Sequence, residues 1–275
     1  MKKFGLIGHP IAHSLSPSLF KAAYGGRYTY DLIEGEDFEE SYRKFLDTYD
    51  AINVTAPFKE SAWKKAHIKS NECDAIGAAN ILIKDEDGQI LAANSDVMGV
   101  IGALTSCGDL SGSGTKALVA GCGGAAMAAV YAVSSLGYRT TVINRNTDKA
   151  RLFAERLAQA GISGISTEGL DGFSKCFRQA DIIVYTLPVA IPQISGLSKS
   201  DIKGGHLWTK GRKIILEANY KDPTFTSETI GRMREINPDI SFISGKEWLL
   251  HQAVGAYRLF TGEDPDIEQM RHVIE

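Results

Sequence analysis

The segment Ala117–Leu136 constrains the fold of this chain more than any other stretch. A short apolar run, Ala117–Ala120, leads directly into a glycine-rich turn, and the turn leads into apolar residues at helical spacing. Several other glycines also follow short apolar runs, as they do where strands turn into helices in α/β proteins. The same alternation of strand and helix signals fills the region before Asp96. The sequence therefore predicts an α/β fold with two successive α/β patterns.

Charge and composition exclude several classes of protein. The formal net charge is -3, so nothing draws the whole chain to nucleic acid or to an anionic membrane. The four cysteines are widely spaced and lack a CxxC pair, which argues against a zinc ribbon and fits a reducing compartment. No apolar run is long enough to span a bilayer. We therefore expect a cytoplasmic protein with no metal ion, no nucleic-acid partner and no membrane contact.

The glycine-rich turn fits the phosphate-binding pattern G-x-G-x-x-A. Glycine lets a pyrophosphate approach the backbone, and the following helix N-terminus offers free N–H groups and the positive end of its dipole. The alternative is a tight turn that only allows close packing of helix on sheet. The strand–turn–helix context favours a dinucleotide site. Its candidate residues are Gly121, Cys122, Gly123, Gly124 and Ala125.

The next predicted strand ends at Asn144 and Arg145, where the ribose of a dinucleotide is expected. An acidic residue there would bind the 2′-hydroxyl of NAD, whereas a neutral residue followed by arginine suits the 2′-phosphate of NADP. Lys149 adds a second positive charge to the same region. The alternative is a solvated, basic start of a helix. The sequence favours NADP as the cofactor.

The stretch Ala51–Lys59 places a lysine just beyond a predicted buried strand. Pro57 has no N–H and ends the strand pairing, so Lys59 emerges on a stiffened turn. Taken alone, the stretch favours a solvated lysine at the start of a helix, because most lysines are exposed. Asp96 opens a later predicted helix, where it is either a cap or a partner for such a lysine.

Ser14 and Ser16 place two hydroxyl groups near the N-terminus of a predicted helix that has Pro17 in its first turn. This arrangement suits a small carboxylate, but Ser16 as a plain helix cap explains the pattern equally well. Asn80 starts a predicted strand and is either a turn asparagine or a polar ligand. The aromatic residues Trp248, Tyr257 and Phe260 of a later helix are predicted to belong to the core.

Taken together, these stretches resemble the shikimate dehydrogenases nearly from end to end. The motifs that carry the resemblance are Gly8–Pro17, Asn53–Lys59, Gly77–Asn80, Asn94–Asp96, Gly121–Ala125, Asn144–Arg145, Tyr220–Thr224 and Gly245–Ala256. The resemblance implies an NADP-dependent oxidoreductase of the shikimate pathway, which leads to chorismate and the aromatic amino acids. It also implies two domains, a mixed α/β substrate-binding domain of residues 1–97 and 240–275 and a Rossmann-type NADP-binding domain of residues 98–239.

The resemblance also implies roles for individual residues in the reversible reduction of 3-dehydroshikimate to shikimate. Lys59 and Asp96 are the implied catalytic pair, and Asp96 also contacts the substrate. Ser14 and Ser16 would hold the substrate carboxylate, and Gly245 would lie near the nicotinamide. The residues implied to contact the ring hydroxyls or the carboxylate are Thr55, Asn80, Tyr220 and Gln252. Hydride delivery to a ketone builds negative charge on its oxygen, which a lysine ammonium can stabilise and protonate.

Several positions depart from the family pattern. Ile81 and Ser95 stand where the family usually has threonine, and Glu217 replaces a usual aspartate. Ala253 replaces a glycine, which we expect to crowd the nicotinamide side. The segment Tyr185–Ile191 lacks the usual polar, glycine-containing loop. We therefore expect the cofactor side to differ from the family more than the substrate side.

Two other functions compete with this interpretation. One is a quinate/shikimate dehydrogenase that uses NAD or NADP; Asn144 and Arg145 argue against NAD but do not discriminate against quinate. The other is a non-catalytic NADP-sensing module, which has no need of Lys59 together with Asp96. In each case we expect a small-molecule ligand and a monomer or homodimer.

Overall fold

The computed structural model describes residues 2–108, 110, 115–204 and 211–275. The strands of the first sheet are β1 Lys3–Gly8, β2 Thr29–Glu34, β3 Ala51–Val54, β4 Ile68–Lys69, β5 Ile81–Lys84 and β6 Ile90–Ala93. Those of the second sheet are β7 Lys116–Ala120, β8 Arg139–Ile143, β9 Ile165–Glu168, β10 Ile182–Tyr185, β11 Lys213–Glu217 and β12 Ile240–Ile243. The helices are α1 Ser16–Tyr24, α2 Phe38–Thr48, α3 Lys59–Lys65, α4 Asn71–Ile76, α5 Ser95–Thr105, α6 Gly124–Ser135, α7 Thr147–Gln159, α8 Phe173–Gln179, α9 Pro192–Ser195, α10 Lys199–Lys203, α11 Ser227–Ile236, α12 Gly245–Thr261 and α13 Ile267–Ile274.

The chain forms two compact units. One contains the chain up to Gly99 together with Leu249–Glu275, and the other contains Val100–Trp248. The first division lies within α5, close to the predicted change after residue 97. The second division differs from the predicted return at residue 240. The reason is that β12 pairs with β11 in the second sheet, so the chain returns to the first unit only within α12.

The first sheet is mixed and has the strand order β2-β1-β3-β5-β6-β4. β1 is parallel to both β2 and β3, whereas β5 is antiparallel to β3, with Asn53 opposite Ile81. β6 is in turn antiparallel to β5, with Ile81 opposite Ala93. The C-terminal ends of β1, β3 and β6 and the N-terminal end of β5 therefore lie on the same side of the sheet, at the ends of the strands.

The second sheet is parallel throughout, with the order β12-β11-β10-β7-β8-β9. This is the doubly wound order of dinucleotide-binding domains, in which the first strand lies at the centre. The topological switch point lies between β7 and β10, where ligands of such sheets bind beyond the C-terminal strand ends. The predicted fold class, a mixed α/β unit with a Rossmann-type unit, is confirmed.

Each unit has its own apolar core. Strand β3 buries both faces, since Ala51 belongs to a cluster with Phe4 and Tyr257, and its neighbour Ile52 belongs to another cluster with Phe45. The second core packs helices such as α8 against the parallel sheet around Ile183. Among the residues that the structure describes, no helix is long and apolar enough to cross a membrane.

Local structure differs from the prediction at a few points. Ser16 is not the cap of α1: the cap position is Leu15, which makes no side-chain capping bond, and Ser16 is the first helical residue. The strands β4 and β9 were not predicted. Both are short strands at sheet edges, and β9 has the polar sequence Ile-Ser-Thr-Glu, so neither has an apolar run to reveal it.

A fully buried lysine closes the end of α8. Lys213 opens β11, and its Nζ donates hydrogen bonds to the carbonyl oxygens of Phe177 at 2.9 Å, Arg178 at 3.2 Å and Ala180 at 2.7 Å. Carbonyl groups at a helix C-terminus lack partners within the helix, and a cation there also interacts favourably with the helix dipole. Burial nevertheless lowers the pKa of Lys213 to about 8, although two nearby aspartates oppose the shift.

This buried lysine predicts a pH-dependent stability. Between pH 8 and 10.5 the folded protein has lost the Lys213 proton while the unfolded chain still holds it, so raising the pH favours the folded state. We expect the free energy of unfolding of the wild type, relative to Lys213→Met, to rise over this window by at most about 1.4 kcal/mol per pH unit. Urea unfolding at a series of pH values measures this difference. The exposed lysine variant Lys175→Met is the control, and a similar slope relative to it would refute the assignment to Lys213.

Candidate active site

Most candidate residues of the first unit lie at one end of the strands of its sheet. They are Ser14 and Ser16 after β1, Thr55 and Lys59 after β3, Asn80 before β5, and Asp96 after β6. The strand directions described above bring these chain segments to the same end. Residues that are far apart in the sequence therefore lie on the same side of the first sheet.

Lys59 and Asp96 form a direct ion pair. The Lys59 Nζ lies 2.6 Å from Asp96 Oδ2, and the two side chains are 34% and 21% exposed. Lys59 is the first residue of α3, in agreement with the alternative prediction of a lysine at a helix start. Its ammonium is, however, paired with a carboxylate and not merely solvated. Partial exposure keeps the pair accessible to a substrate, while the short distance gives the ammonium a fixed position.

The backbone on both sides of this pair is tied to one short segment. The N–H of Ala79 donates to the Lys59 carbonyl at 2.9 Å. The amide of Asn94 donates to the Ala78 carbonyl at 2.9 Å, and Asn94 Oδ1 accepts the N–H of Asp96 at 3.0 Å. The two adjacent alanines therefore set the spacing between the lysine and the aspartate.

The two serines lie in the turn that leads into α1. Ser14 Oγ accepts the N–H of Ser16 at 3.2 Å, and the two hydroxyl groups lie 3.1 Å apart. Both side chains are partly exposed, whereas the next helical turn is buried at Leu19. The structure thus places two adjacent hydroxyl groups at a helix N-terminus, an arrangement suited to a carboxylate.

Thr55 ties the ends of β1 and β3 together. Its N–H donates to the Ile7 carbonyl at 3.0 Å, and its side chain is partly exposed. A Cβ atom on Gly8 would collide with the methyl group of Thr55, so glycine is needed where the two strand ends approach each other.

Asn80 and Gln252 are joined through Ser95. Asn80 Oδ1 accepts hydrogen bonds from the N–H of Ser95 at 2.7 Å and from its hydroxyl at 3.3 Å. The same hydroxyl contacts Gln252 Oε1 at 3.1 Å. Asn80 is buried, and Gln252 is partly exposed on α12. These contacts leave the amide nitrogens of both side chains as donors for other groups.

The second unit carries the glycine turn at its switch point. Gly121 has φ +117°, and a Cβ atom there would lie 2.5 Å from Thr186 Oγ1. By contrast, a Cβ atom on Gly123 or Gly124 would meet nothing within 4 Å. Gly121 is therefore required by the protein itself, whereas the two later glycines border open space at the start of α6. This cradle fits the diphosphate of a dinucleotide.

The flanks of this turn are well defined. The Thr186 hydroxyl donates to the Ala120 carbonyl at 2.7 Å, which fixes the residue before Gly121. Cys122 is partly exposed, and burial raises the pKa of its thiol although Lys149 opposes the shift. Ala125 is exposed in the first turn of α6.

Asn144, Arg145 and Lys149 lie at the end of β8 and the start of α7. Asn144 Nδ2 donates to the carbonyl of Asn146 at 3.0 Å, and Asn146 caps α7 through Lys149 N at 2.9 Å. Arg145 and Lys149 are exposed, and Asp148 is the one acidic residue between them in the sequence. Two available cations at this strand end suit a phosphate group.

The unusual segment Tyr185–Ile191 is held by its first residue. The Tyr185 hydroxyl donates to the Val189 carbonyl at 2.7 Å, and burial raises the pKa of Tyr185 to about 12. The Val189 side chain is 66% exposed, whereas Tyr185 and Ile191 are buried. The segment therefore follows β10 as an anchored apolar loop in place of a polar one.

Tyr220 and Gly245 also belong to the second unit. Tyr220 lies in the turn after β11, and the Glu217 carboxylate accepts the N–H groups of Thr224 at 2.6 Å and Phe225 at 2.9 Å at the end of that turn. Burial raises the pKa of Glu217, and these hydrogen bonds oppose the shift. A Cβ atom on Gly245 would collide with the carbonyl oxygens of Ala218 and Glu217, so glycine is required at the start of α12.

Two residues show what sequence reasoning missed and misjudged. Asn53 is buried in β3, accepts the Tyr30 hydroxyl at 2.8 Å and donates to the Asn80 carbonyl at 3.3 Å. Its signal was an asparagine in an otherwise apolar strand, since buried polar residues need partners. Ala253, which was expected to crowd the nicotinamide side, is 1% exposed and packs in the core of the first unit.

Comparisons with known proteins match this geometry. The family model of the shikimate dehydrogenase substrate binding domain matches residues 6–82, and that of the shikimate 5′-dehydrogenase C-terminal domain matches residues 249–275. A shikimate dehydrogenase (NADP(+)) of Methanosarcina mazei is 30% identical, over 98% of this chain and 96% of the relative. The chain belongs to the shikimate dehydrogenase family. Both matched segments lie in the first unit.

Solved structures show the same fold. Shikimate 5-dehydrogenase of Thermus thermophilus, in complex with NADP(H) and shikimate, is 26% identical with a TM-score of 0.77 and covers 100% of this chain and 98% of its own. A quinate dehydrogenase of Corynebacterium glutamicum in complex with NAD is 24% identical with a TM-score of 0.81, over 99% and 98% of the two chains. Proteins named for shikimate and for quinate thus share this fold, so the fold does not discriminate between the two substrates.

The different surroundings of the glycines predict different effects of adding a methyl group. We expect Gly121→Ala to lower stability by about 1–3 kcal/mol, because alanine is strained at this φ and its methyl meets Thr186. The displaced turn should also raise the KM for NADP roughly tenfold or more. Thermal unfolding and steady-state kinetics measure the two effects. Gly231→Ala, inside α11 with no atom near its Cβ, is the control and should be neutral or slightly stabilising; equal effects of the two variants would contradict the explanation.

Proposed function

We propose that the protein is an NADP-dependent shikimate dehydrogenase, an oxidoreductase of the shikimate pathway that reversibly reduces 3-dehydroshikimate to shikimate. The observation that carries this proposal is the accessible Lys59–Asp96 pair, 2.6 Å apart, in a chain of this family. The relative from M. mazei is named for NADP(+), and the T. thermophilus structure contains NADP(H) and shikimate.

Lys59 acts as the proton donor in the direction of ketone reduction. NADPH, when bound, supplies the hydride. Charge then develops on the ketone oxygen, and an ammonium beside that oxygen stabilises the charge and protonates it. Asp96 holds the ammonium in place through their short contact. In the reverse direction neutral Lys59 accepts the proton of the alcohol.

The remaining polar residues bind and orient the substrate. The hydroxyl groups of Ser14 and Ser16 donate to its carboxylate at the start of α1. The residues that contact the ring hydroxyls or the carboxylate are Thr55, Asn80, Asp96, Tyr220 and Gln252. Such positioning matters for the rate because a misplacement of about 1 Å can cost on the order of 10²-fold.

NADP binding is assigned to the second unit. The backbone from Gly121 to Ala125, including Cys122, forms the cradle for the diphosphate, in which Gly123 and Gly124 leave the space open. Asn144, Arg145 and Lys149 bind the ribose 2′-phosphate, and Gly245 lies near the nicotinamide. The exposed cations favour NADP over NAD, because NAD lacks the ribose 2′-phosphate that they would neutralise.

The other functions receive less support. A module that only senses NADP has no use for a lysine and an aspartate that are paired at the strand ends of a sheet. We also propose a cytoplasmic location, which the free cysteines Cys73, Cys107, Cys122 and Cys176 support. A monomer or homodimer acting on a small molecule, without nucleic acid or membrane, completes the proposal.

Removing the catalytic ammonium should abolish most of the activity. We expect Lys59→Ala to lower kcat by at least ~10²-fold, because the proton donor is lost, while shikimate binding stays largely intact. Steady-state kinetics and equilibrium binding of shikimate measure the two effects. Lys64→Ala removes an exposed lysine of the same helix and should leave kcat unchanged. Full activity of the Lys59→Ala variant would show that Lys59 is not the proton donor.

The choice of substrate and cofactor can be tested on the wild type. We expect kcat/KM to be highest for shikimate with NADP among the four combinations of shikimate or quinate with NADP or NAD. The preference for NADP follows from Arg145 and Lys149, because only NADP carries a ribose 2′-phosphate for them to bind. Initial rates for all four combinations decide the matter. A higher kcat/KM for quinate with NAD would replace our assignment by that of a quinate dehydrogenase.

A further inference from the structure

The turn that carries Ser14 and Ser16 is weakly held by its own bonds. Leu15, at the cap position of α1, makes no side-chain capping bond, and its side chain is 38% exposed. Within the turn, Ser14 N donates to the Ile11 carbonyl at 2.8 Å, and the two serines otherwise contact each other. The positions of both hydroxyl groups therefore depend on whatever fixes the first residue of α1 from the interior.

A tyrosine of α12 provides this anchor. The Tyr257 hydroxyl donates to the Ser16 carbonyl at 3.0 Å, and Tyr257 is 1% exposed. Its ring packs edge-on against Phe20 at 4.7 Å and lies 5.9 Å from the ring of Tyr30, so the hydroxyl has little freedom to move. Burial raises the pKa of Tyr257, and a hydrogen bond with the Ser16 side chain opposes the shift. The hydroxyl thus stays neutral and remains a donor.

The neighbouring Tyr30 connects this core to the other half of the site. Burial raises the pKa of Tyr30 well above its ordinary value. The Tyr30 hydroxyl donates to Asn53 Oδ1 at 2.8 Å, and Asn53 donates to the Asn80 carbonyl at 3.3 Å. The partly buried Tyr30 therefore connects the ring of Tyr257, which lies 5.9 Å away, to Asn53 and Asn80.

Helix α12 reaches the site at two places. Its Gln252 contacts the Ser95 hydroxyl at 3.1 Å, and its Tyr257 contacts Ser16. A rigid helix that holds both contacts fixes the distance between the groups assigned to the ring hydroxyls and those assigned to the carboxylate. A phenylalanine at position 257 would fill the core equally well but would leave the Ser16 carbonyl without this donor.

We propose that Tyr257 is a positioning residue for the substrate carboxylate, which it aligns by fixing Ser16 at the start of α1. This inference rests on the proposed function and adds a specific role to a residue that the sequence pattern assigned only to the core. Tyr257 acts through Ser16 and does not touch the reacting atoms. Its loss should weaken shikimate binding without slowing the chemical step.

The test is Tyr257→Phe, studied by steady-state kinetics. We expect the KM for shikimate to rise roughly three- to tenfold, with kcat and the KM for NADP within twofold of the wild type. The methyl ester of shikimate, which lacks the negative charge, should show the same kcat/KM in wild type and variant. This contrast separates alignment of the carboxylate from a general loosening of the core.

Tyr24→Phe is the matched control. Its hydroxyl donates to the Glu263 carbonyl at 3.1 Å, and its ring packs on the same Phe20 at 5.2 Å, so it removes a similar bond from the same core. We expect this variant to lose stability in thermal unfolding but to keep its KM for shikimate. An unchanged KM in Tyr257→Phe, or an equal rise in both variants, would overturn the inference. Absence of wild-type turnover with shikimate and NADP would instead overturn the proposed function on which it rests.

Discussion

The antiparallel pairing of β5 with β3 determines where Lys59 and Asp96 can meet. If β5 ran parallel to β3, its N-terminal end would lie on the opposite side of the sheet, and Asn80 with it. The observed pairing places Ala78 and Ala79 beside the end of β3, where they hold Lys59 and, through Asn94, Asp96. The ion pair is thus a consequence of strand direction, because the backbone already brings Lys59 and Asp96 close enough for their side chains to meet.

The candidate sites of the two units are built in physically different ways. In the first unit the candidate site is assembled from distant segments, and the buried polar residues Asn53 and Ser95 both donate hydrogen bonds to Asn80. Because an unsatisfied buried group is costly, such a network favours one arrangement of the site. In the second unit the site is local, since one turn between β7 and α6 supplies the backbone. There the constraint is steric, with Gly121 packed against Thr186 and the later glycines left open.

This difference explains how far the sequence could predict each part. The glycine turn, the parallel sheet and the cations after β8 follow from short, contiguous patterns, and the structure places each as expected. Residue identity alone does not bring Lys59 next to Asp96, because their contact depends on pairing across the sheet; the resemblance to the family indicated it. The contact of Tyr257 was missed for the same reason, since its position in the helix predicts only a core residue; Asn53 was detectable as a polar residue in an apolar strand, but its partners were not. Short edge strands such as β9 lack the apolar runs on which strand prediction depends.

The departures from the family pattern are accommodated by packing. Ile81 is fully buried in the core of the first unit, so an apolar side chain suits a position where the family usually has a hydroxyl group. Glu217, longer than the usual aspartate, uses both carboxylate oxygens on the backbone at the end of the Tyr220 turn. Ala253 faces its own core as well. These three changes lie away from the Lys59–Asp96 pair, whereas the unusual segment Tyr185–Ile191 contacts the glycine cradle through Thr186. The interiors of the two units therefore accept the three changes because volume and hydrogen bonding are retained.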